Sequence, residues 1–185
     1  MCFGIRHRVM NAHPTAVIHP NANIGPDCQI GPYCVIGENV VLGSGCKLHS
    51  HVVIDGRTSL GNENDIFPFA SIGLKTQDLK WKGGNTRTEI GDRNTFREYV
   101  TIHSATGDGE ITRIGSDNHI LAYCHIAHNV ELGSNVIMSN VATLAGHVIV
   151  EDHAVSQILF FWLQKDWGDV PIENPQKFFP VLIFF

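Results

Sequence analysis

The sequence lacks several features that mark common classes of protein. No apolar run approaches the roughly 18 residues that a membrane-spanning helix needs, and residues 1–12 carry basic side chains without the apolar core of a secretory signal. The formal net charge is −5, so the chain lacks the positive excess typical of a nucleic-acid-binding surface. We therefore expect a cytoplasmic protein with no transmembrane segment and no nucleic-acid partner.

A repeat of six residues organises most of the chain. A large apolar residue recurs at every sixth position, a glycine often follows it, and a small residue often stands two positions before it. This period matches neither the 3.6-residue turn of an amphipathic helix nor the alternation of a half-buried strand. The positions in phase are Ile18, Ile24, Ile30, Ile36, Leu42, Leu48, Ile54, Leu60, Ile66, Ile72, Ile90, Phe96, Ile102, Ile114, Ile120, Ile126, Leu132, Met138, Leu144 and Val150.

Hexapeptide repeats of this kind predict an all-β fold, a parallel β-helix shaped as a triangular prism. Each hexad supplies one short strand and one turn, three hexads make one coil, and coils stack about 4.8 Å apart. The large apolar residue points into the prism, and glycine is expected to supply turn conformations closed to other residues. The pattern resembles the hexapeptide-repeat class, and this resemblance implies left-handed winding, against the usual right-handed crossover rule.

The few cysteines follow the same repeat. The chain has five, and four of them take the small inward position, where a thiol behaves as a small hydrophobic group. We therefore expect these cysteines to pack in the core rather than bind metal or form disulfides. They are Cys28, Cys34, Cys46 and Cys124.

Interruptions of the repeat divide the chain. The predicted segments are an N-terminal extension of residues 1–12, a β-helix of residues 13–155 and an apolar tail of residues 156–185. Within the β-helix, the repeat pauses at residues 74–89 and 104–112, which predicts two loops. The first is long enough to act as a lid or ligand clamp, whereas the second has the Gly, Asp and Ser content of a turn.

Histidines collect in the second half of the chain, and His128 is distinguished by what lies one coil away. Because one coil is three hexads, His128 is expected to lie against Gly146 of the next coil. An imidazole beside a backbone without a side chain suits acyl transfer, with the histidine as general base and the backbone N–H as a donor to the oxyanion. The alternative is that His128 is a surface histidine followed by a turn residue, Asn129.

Four short motifs in the chain are residues 77–80 (QDLK), 97–103 (REYVTIH), 125–128 (HIAH) and 142–147 (ATLAGH). Together they resemble one family, the acyl-[acyl-carrier-protein]–UDP-N-acetylglucosamine O-acyltransferases of lipid A synthesis. The resemblance covers roughly residues 12–155. It implies direct transfer of a 3-hydroxyacyl chain from acyl carrier protein to the 3-hydroxyl of UDP-N-acetylglucosamine, with no cofactor, no metal and no covalent acyl-enzyme. It also implies a homotrimer with each active site between two prisms.

The resemblance assigns roles residue by residue. His128 matches the general base, Gly146 the oxyanion donor, and Asn129 the position that in the family is often an aspartate orienting the base. Asparagine accepts a hydrogen bond from the imidazole but adds no charge, so we expect reduced basicity with function retained. Among the other matching positions, Asp78, His125 and His147 correspond to sugar-nucleotide contacts, and Lys80 and His103 line the same site.

The repeat ends at Ser156, where the phase calls for an aliphatic residue. The family would continue with further coils and a C-terminal helical domain, which this chain is expected to lack. The tail from Ser156 onward is rich in aromatic side chains without periodicity, which favours a frameshifted or truncated end, with a cap over the last coil as the alternative.

Three other functions fit parts of the pattern. The N-acyltransferase of the same pathway also uses a β-helix and a histidine. A γ-type carbonic anhydrase binds zinc through three histidines on a trimeric β-helix. An inactive fragment or scaffold of the family is the non-enzymatic alternative.

Overall fold

The computed structural model describes residues 11–156. Within that range, all regular structure consists of 22 short β-strands. The strands form three parallel sheets that are the faces of a triangular prism, and successive strands along the chain move from one face to the next. The left-handed parallel β-helix predicted from the hexapeptide repeat is thus confirmed.

Each face takes every third strand. The first face contains β1 (Asn11–Ala12), β4 (Gln29–Ile30), β7 (Lys47–Leu48), β10 (Asp65–Ile66), β13 (Thr95–Phe96), β16 (His119–Ile120), β19 (Ile137–Met138) and β22 (Val155–Ser156). The second contains β2 (Val17–Ile18), β5 (Val35–Ile36), β8 (Val53–Ile54), β11 (Ser71–Leu74), β14 (Thr101–His103), β17 (His125–Ile126) and β20 (Thr143–Leu144). The third contains β3 (Asn23–Ile24), β6 (Val41–Leu42), β9 (Arg57–Leu60), β12 (Arg87–Ile90), β15 (Ile111–Ile114), β18 (Glu131–Leu132) and β21 (Ile149–Val150).

The register shows how two loops are inserted without disturbing the prism. His125 pairs with Thr143, which lies one regular coil of three hexads further along the chain. Thr101 pairs with His125 across a coil that is longer by one hexad, and Ser71 pairs with Thr101 across a coil that is longer by two. Because both longer coils are whole multiples of the hexad, the apolar residue returns in phase after each insertion. The inserted residues lie at 75–86, between β11 and β12, and at 104–110, between β14 and β15.

The in-phase apolar residue, which is the second residue of most strands, fills the core. Ile36, Ile72 and Ile126 are no more than 1% exposed, and the residues at the first positions of the same strands face outward. Full burial of one such side chain contributes roughly 1.5–3 kcal/mol. No single coil encloses its own apolar residues, so the stack as a whole supplies the stability.

The repeat glycines are needed for a different reason from the one predicted. Of the nine that follow the apolar residue, only Gly73 has positive φ, at 77°. Gly25 is representative of the others, since a Cβ there would lie 2.5 Å from the carbonyl carbon of Gly43 in the next coil. The prediction of special turn conformations is therefore wrong at these positions: glycine is required because the backbones of adjacent coils approach too closely for a side chain.

Positive φ is found instead at non-glycine turn residues, and one set of these lies along a corner occupied by aromatic side chains. Tyr33, Phe69 and Tyr99 have φ between 58° and 64°, although this region favours glycine. Their rings belong to a continuous stack along the corner with centroids 4.9–5.0 Å apart, the coil spacing. The members of this stack are Tyr33, His51, Phe69, Tyr99 and Tyr123.

The small inward positions hold thiols and amides that bond between coils. The four predicted core cysteines are buried, and each thiol donates to a carbonyl oxygen of the neighbouring coil, as Cys34 does to His49 at 2.8 Å. Burial raises the pKa of the Cys34 thiol. At equivalent positions three buried asparagines form a ladder, in which Asn94 Nδ2 donates to Asn64 Oδ1 and Asn118 N–H donates to Asn94 Oδ1, both at 3.0 Å. The hexapeptide pattern does not predict this ladder.

Between residues 11 and 156 there is no helix of the length and apolarity required to cross a membrane. Residues 1–10 and 157–185, which include nearly all of the predicted N-terminal extension and apolar tail, lie outside the described residues.

Candidate active site

The two inserted loops pack against each other beside the second face of the prism. Asn85 N–H donates to Asp108 Oδ1 at 2.7 Å, and the hydroxyls of Thr76 and Thr106 are 3.1 Å apart. Gly84 has φ of 126°, and a Cβ there would lie 2.8 Å from Asp108 Oδ1. The 104–110 loop therefore supports the 75–86 loop from the next coil.

The 75–86 loop brings a carboxylate to the histidines. Asp78 N–H donates to Thr76 Oγ1, and Asp78 Oδ1 accepts from the Lys80 N–H at 2.9 Å. The other oxygen, Oδ2, lies 3.6 Å from His128 Nε2. The Lys80 N–H, followed by the charge on His128, holds the pKa of Asp78 below its usual value. Asp78 is thus an anion placed against the proposed base.

His128 lies at the turn after β17, in contact with the next coil. Its Nδ1 is 3.0 Å from Asn129 Oδ1, and its ring meets that of His147 edge to face with centroids 5.1 Å apart. A Cβ on Gly146 would lie 2.4 Å from His128 Nε2 and Cε1. The absence of a side chain at position 146 therefore makes the space that the imidazole occupies.

His103 and His125 form a second histidine pair next to His128. Their rings meet edge to face at 4.8 Å, and His125 Nδ1 is 2.7 Å from Thr101 Oγ1. Burial, and then the nearby His125 and His128, lower the pKa of His103; burial, and then His128, lower the pKa of His125. Both rings are therefore neutral at pH 7.

These two neutral histidines predict that the fold loses stability in mild acid. The unfolded chain binds protons at His103 and His125 near pH 6.5, whereas the folded chain resists them, so the free energy of unfolding falls as pH drops below about 6.5. The variant His103→Gln should lose less stability between pH 7 and pH 5 than the parent chain. Urea unfolding at both pH values tests this, with the exposed His19→Gln as control. An equal loss in all three proteins would contradict the assignment.

The structure brings most of the sequence-predicted site residues together. Asp78, His128, Asn129, Gly146 and His147 form one continuous group, and His103 and His125 adjoin it. The Lys80 side chain is exposed, and this residue contacts the group through its backbone N–H to Asp78.

Two residues of the site are not among those that the sequence predicts. Glu110 Oε2 accepts a hydrogen bond from Asn129 Nδ2 at 2.7 Å, and Thr101 contacts His125. Glu110 lies within a segment whose composition indicates only a turn. The position of Glu110 could have indicated a contact with Asn129, because the segment that contains it ends one coil before Asn129.

The same side chains bear on the possibility of a metal site. Among residues 11–156, no group of three or more His, Cys, Asp or Glu side chains is arranged to hold a metal ion. His125 and His128 instead engage Thr101 and Asn129 through Nδ1. A zinc site of the γ-carbonic anhydrase type would need ligands from outside this part of the chain.

Comparison with known proteins agrees with the hexapeptide repeat and the fold. A family model for bacterial transferase hexapeptide (six repeats) matches residues 13–44, 21–56 and 111–146. The chain is similar to LpxA from Acinetobacter baumannii, with 48% identity and a TM-score of 0.77, over 78% of this chain and 57% of that one.

Two further solved structures name the activity of these relatives. UDP-N-acetylglucosamine acyltransferase from Francisella novicida is 42% identical with a TM-score of 0.76, over 78% of this chain and 53% of that chain. LpxA from Bacteroides fragilis, a UDP-N-acetylglucosamine acyltransferase, is 40% identical with a TM-score of 0.75, over 77% and 56%. The chain thus spans little more than half the length of these relatives. On the repeat, the fold and this similarity, the chain belongs to the hexapeptide-repeat family of UDP-N-acetylglucosamine acyltransferases.

Proposed function

We propose that this β-helix catalyses transfer of a 3-hydroxyacyl chain from acyl carrier protein to the 3-hydroxyl of UDP-N-acetylglucosamine, the first step of lipid A synthesis. The observation that carries the proposal is the contact between His128 and Gly146, where an imidazole nitrogen occupies the space a side chain would fill. The relatives' activity on UDP-N-acetylglucosamine supports the choice of acceptor.

His128 serves as the general base. Because Nδ1 faces Oδ1 of the Asn129 side-chain amide, Nε2 is the nitrogen left to accept a proton. It takes the proton from the acceptor hydroxyl as the hydroxyl oxygen attacks the thioester carbonyl. When the tetrahedral intermediate collapses, the C–S bond breaks and the imidazolium returns this proton to the departing thiolate. These reaction steps involve no covalent acyl-enzyme and no cofactor.

Gly146 serves through its backbone. Among the residues from 11 to 156, none accepts a hydrogen bond from its N–H. An N–H beside the base is positioned to donate to the oxyanion that develops on the thioester carbonyl, and loss of such a donor costs about 10²–10³-fold in turnover. His128 and Gly146 thus supply the proton acceptor and the anion donor from adjacent coils.

The histidines and Asp78 position the acceptor. Asp78 is an anion with one oxygen directed at the base, so it suits a hydrogen bond from a sugar hydroxyl. His125 and His147 flank His128 and are proposed as sugar-nucleotide contacts. His103 and Lys80 line the same region, His103 from the core side and Lys80 from solvent.

The donor is proposed to approach along the 75–86 loop. Lys75, Lys80 and Lys82 are exposed there, with Arg87 at the start of β12. Acyl carrier proteins are acidic, so this group of cations would attract the donor, and the attraction would weaken with salt. A homotrimer, in which a second prism completes each site, is part of the same proposal.

The experiment that tests the function is direct. The purified 185-residue chain is incubated with UDP-N-acetylglucosamine and 3-hydroxyacyl-acyl carrier protein, and the product is identified by mass spectrometry. Formation of O-acylated UDP-N-acetylglucosamine supports the proposal. Binding of UDP-N-acetylglucosamine without turnover would indicate an inactive member of the family, and neither binding nor turnover would refute the proposed function.

A further inference from the structure

Asn129 connects the proposed base to a carboxylate. Its Oδ1 lies 3.0 Å from His128 Nδ1, and its Nδ2 donates to Glu110 Oε2 at 2.7 Å. The Thr106 N–H donates to the same Oδ1 at 3.0 Å. The asparagine amide therefore links a histidine on one coil to the 104–110 loop that precedes β15.

The orientation of this amide is fixed by its other partners. A backbone N–H only donates, so the atom facing Thr106 must be the amide oxygen; a carboxylate only accepts, so the atom facing Glu110 must be the amide nitrogen. The oxygen then also faces His128 Nδ1, which must donate. The chain of contacts thus sets the proton of neutral His128 on Nδ1 and leaves the Nε2 lone pair for the acceptor hydroxyl.

Glu110 is itself held in place. Its Oε2 also accepts the Gly107 N–H at 2.8 Å, and its own N–H donates to the Gly107 carbonyl oxygen at 3.0 Å. The Asn129 N–H donates to Thr112 Oγ1 at 2.9 Å, which fixes the backbone on the other side of the amide. Asn129 lowers the pKa of Glu110 most, followed by Gly107, so the carboxylate is ionised at neutral pH.

We propose that Glu110 is a positioning residue for acyl transfer, which acts through the Asn129 amide to hold His128 in its Nδ1-protonated form and to stabilise the imidazolium. This inference rests on the proposed role of His128 as the base. An aspartate after the base would supply the negative charge directly. In this chain the negative charge is on Glu110, which does not contact His128 directly. It acts on the imidazole by polarising the Asn129 amide that lies between them.

Other charged or titratable groups also face His128, so the contribution of Glu110 must be separated from theirs. Asp78 approaches Nε2 from the 75–86 loop, and His147 meets the ring from the next coil. His103 on β14 and His125 on β17 also lie near His128 on the same face. A variant of Glu110 leaves these four groups in place, and among residues 11–156 Glu110 is the carboxylate connected through Asn129 to the Nδ1 side.

We call the hydrogen-bonded series Glu110–Asn129–His128 the relay. Three variants test the relay by measurement of activity. Glu110→Gln should reduce kcat about threefold to tenfold, the loss expected for one net hydrogen bond, with KM for UDP-N-acetylglucosamine unchanged. Asn129→Asp should also lose activity, because two carboxylates would then face each other. The double variant Glu110→Gln/Asn129→Asp exchanges the amide and the carboxylate and should recover most of the loss. Glu131→Gln, which removes an exposed carboxylate on β18, is the matched control.

Imidazole NMR tests the same relay without turnover. In the ¹⁵N-labelled intact chain, with the His128 signals assigned from a His128→Gln spectrum, neutral His128 should carry its proton on Nδ1. Glu110→Gln should lower the fraction of neutral His128 that carries its proton on Nδ1, because an uncharged partner holds the Asn129 amide less firmly in the orientation that requires this tautomer. Glu131→Gln should leave it unchanged.

The two readouts separate the two proposals. If the chain lacks acyltransferase activity while the His128 tautomer and its change in Glu110→Gln are as expected, the relay stands and the proposed function fails. The relay is overturned if Glu110→Gln and Glu131→Gln give the same His128 tautomer fraction or if the ring proton is on Nε2. Where the parent chain is active, it is also overturned if the double variant is no better than its worse parent.

Discussion

Replacing His128 with alanine is expected to lower turnover by about 10²–10⁴-fold, the contribution of a positioned general base. No other group on the described chain combines a free proton-accepting nitrogen with the Gly146 backbone in this way. The side chain is 17% exposed and lies at the edge of the core, so its loss should leave the coil stack intact. The expected result is a folded, nearly inactive protein.

The measurement is kcat and KM with 3-hydroxyacyl-acyl carrier protein and UDP-N-acetylglucosamine, together with the circular dichroism melting curve. His119→Ala, an exposed histidine on β16, is the matched control and should keep parental turnover. A small rise in KM with a large fall in kcat indicates a role in the transition state. Turnover by His128→Ala equal to that of His119→Ala would contradict the assignment.

The fold was predictable because every hexad must place its large apolar residue inside the prism. Ile30, Ile72 and Ile126 recur in phase because each must point into the same prism. The two insertions preserve this phase, so the loops are visible in the sequence as pauses followed by a return in register. The reason for the repeat glycines was not predictable, because the close approach to Gly43 or Gly61 involves the backbone of the next coil rather than the local sequence.

The candidate site was predictable where it follows the coil period. The contact of His128 with Gly146 obeys this period, so the sequence alone places them together. Glu110 departs from the period by one position and reaches Asn129 from an inserted loop. The conformation of this loop depends on contacts within the loop, such as that of Gly107 with Glu110, and the hexapeptide repeat does not predict these contacts. The path from the base to its nearest carboxylate on the Nδ1 side therefore required the structure.

Replacing Gly146 with alanine is expected to inactivate the site without unfolding the chain. The added Cβ would lie 2.4 Å from His128 Nε2, against the 3.4 Å at which ordinary van der Waals contact begins. The imidazole must therefore retreat by about 1 Å, a misplacement that costs about 10²-fold in rate. The Gly146 N–H is retained, so the loss reports on the position of the base.

The stability cost of Gly146→Ala should be small for two reasons. The backbone φ of Gly146 is outside the left-handed region, so alanine is tolerated there. The atoms that the Cβ meets first belong to the His128 side chain, which can rotate away, rather than to packed backbone. At Gly25, by contrast, a Cβ would meet the backbone of Gly43, and Gly25→Ala should lower the melting temperature far more.

A double-mutant cycle identifies His128 as the group displaced by the added methyl group. In the His128→Ala background, Gly146→Ala should cause little further loss of turnover, because the Cβ then enters empty space. Ala145→Ser, which adds one heavy atom at the exposed neighbouring position, should retain parental kcat. Additive losses in the cycle would mean that Gly146 acts independently of the imidazole, and parental activity in Gly146→Ala would show that the base does not occupy the position seen here.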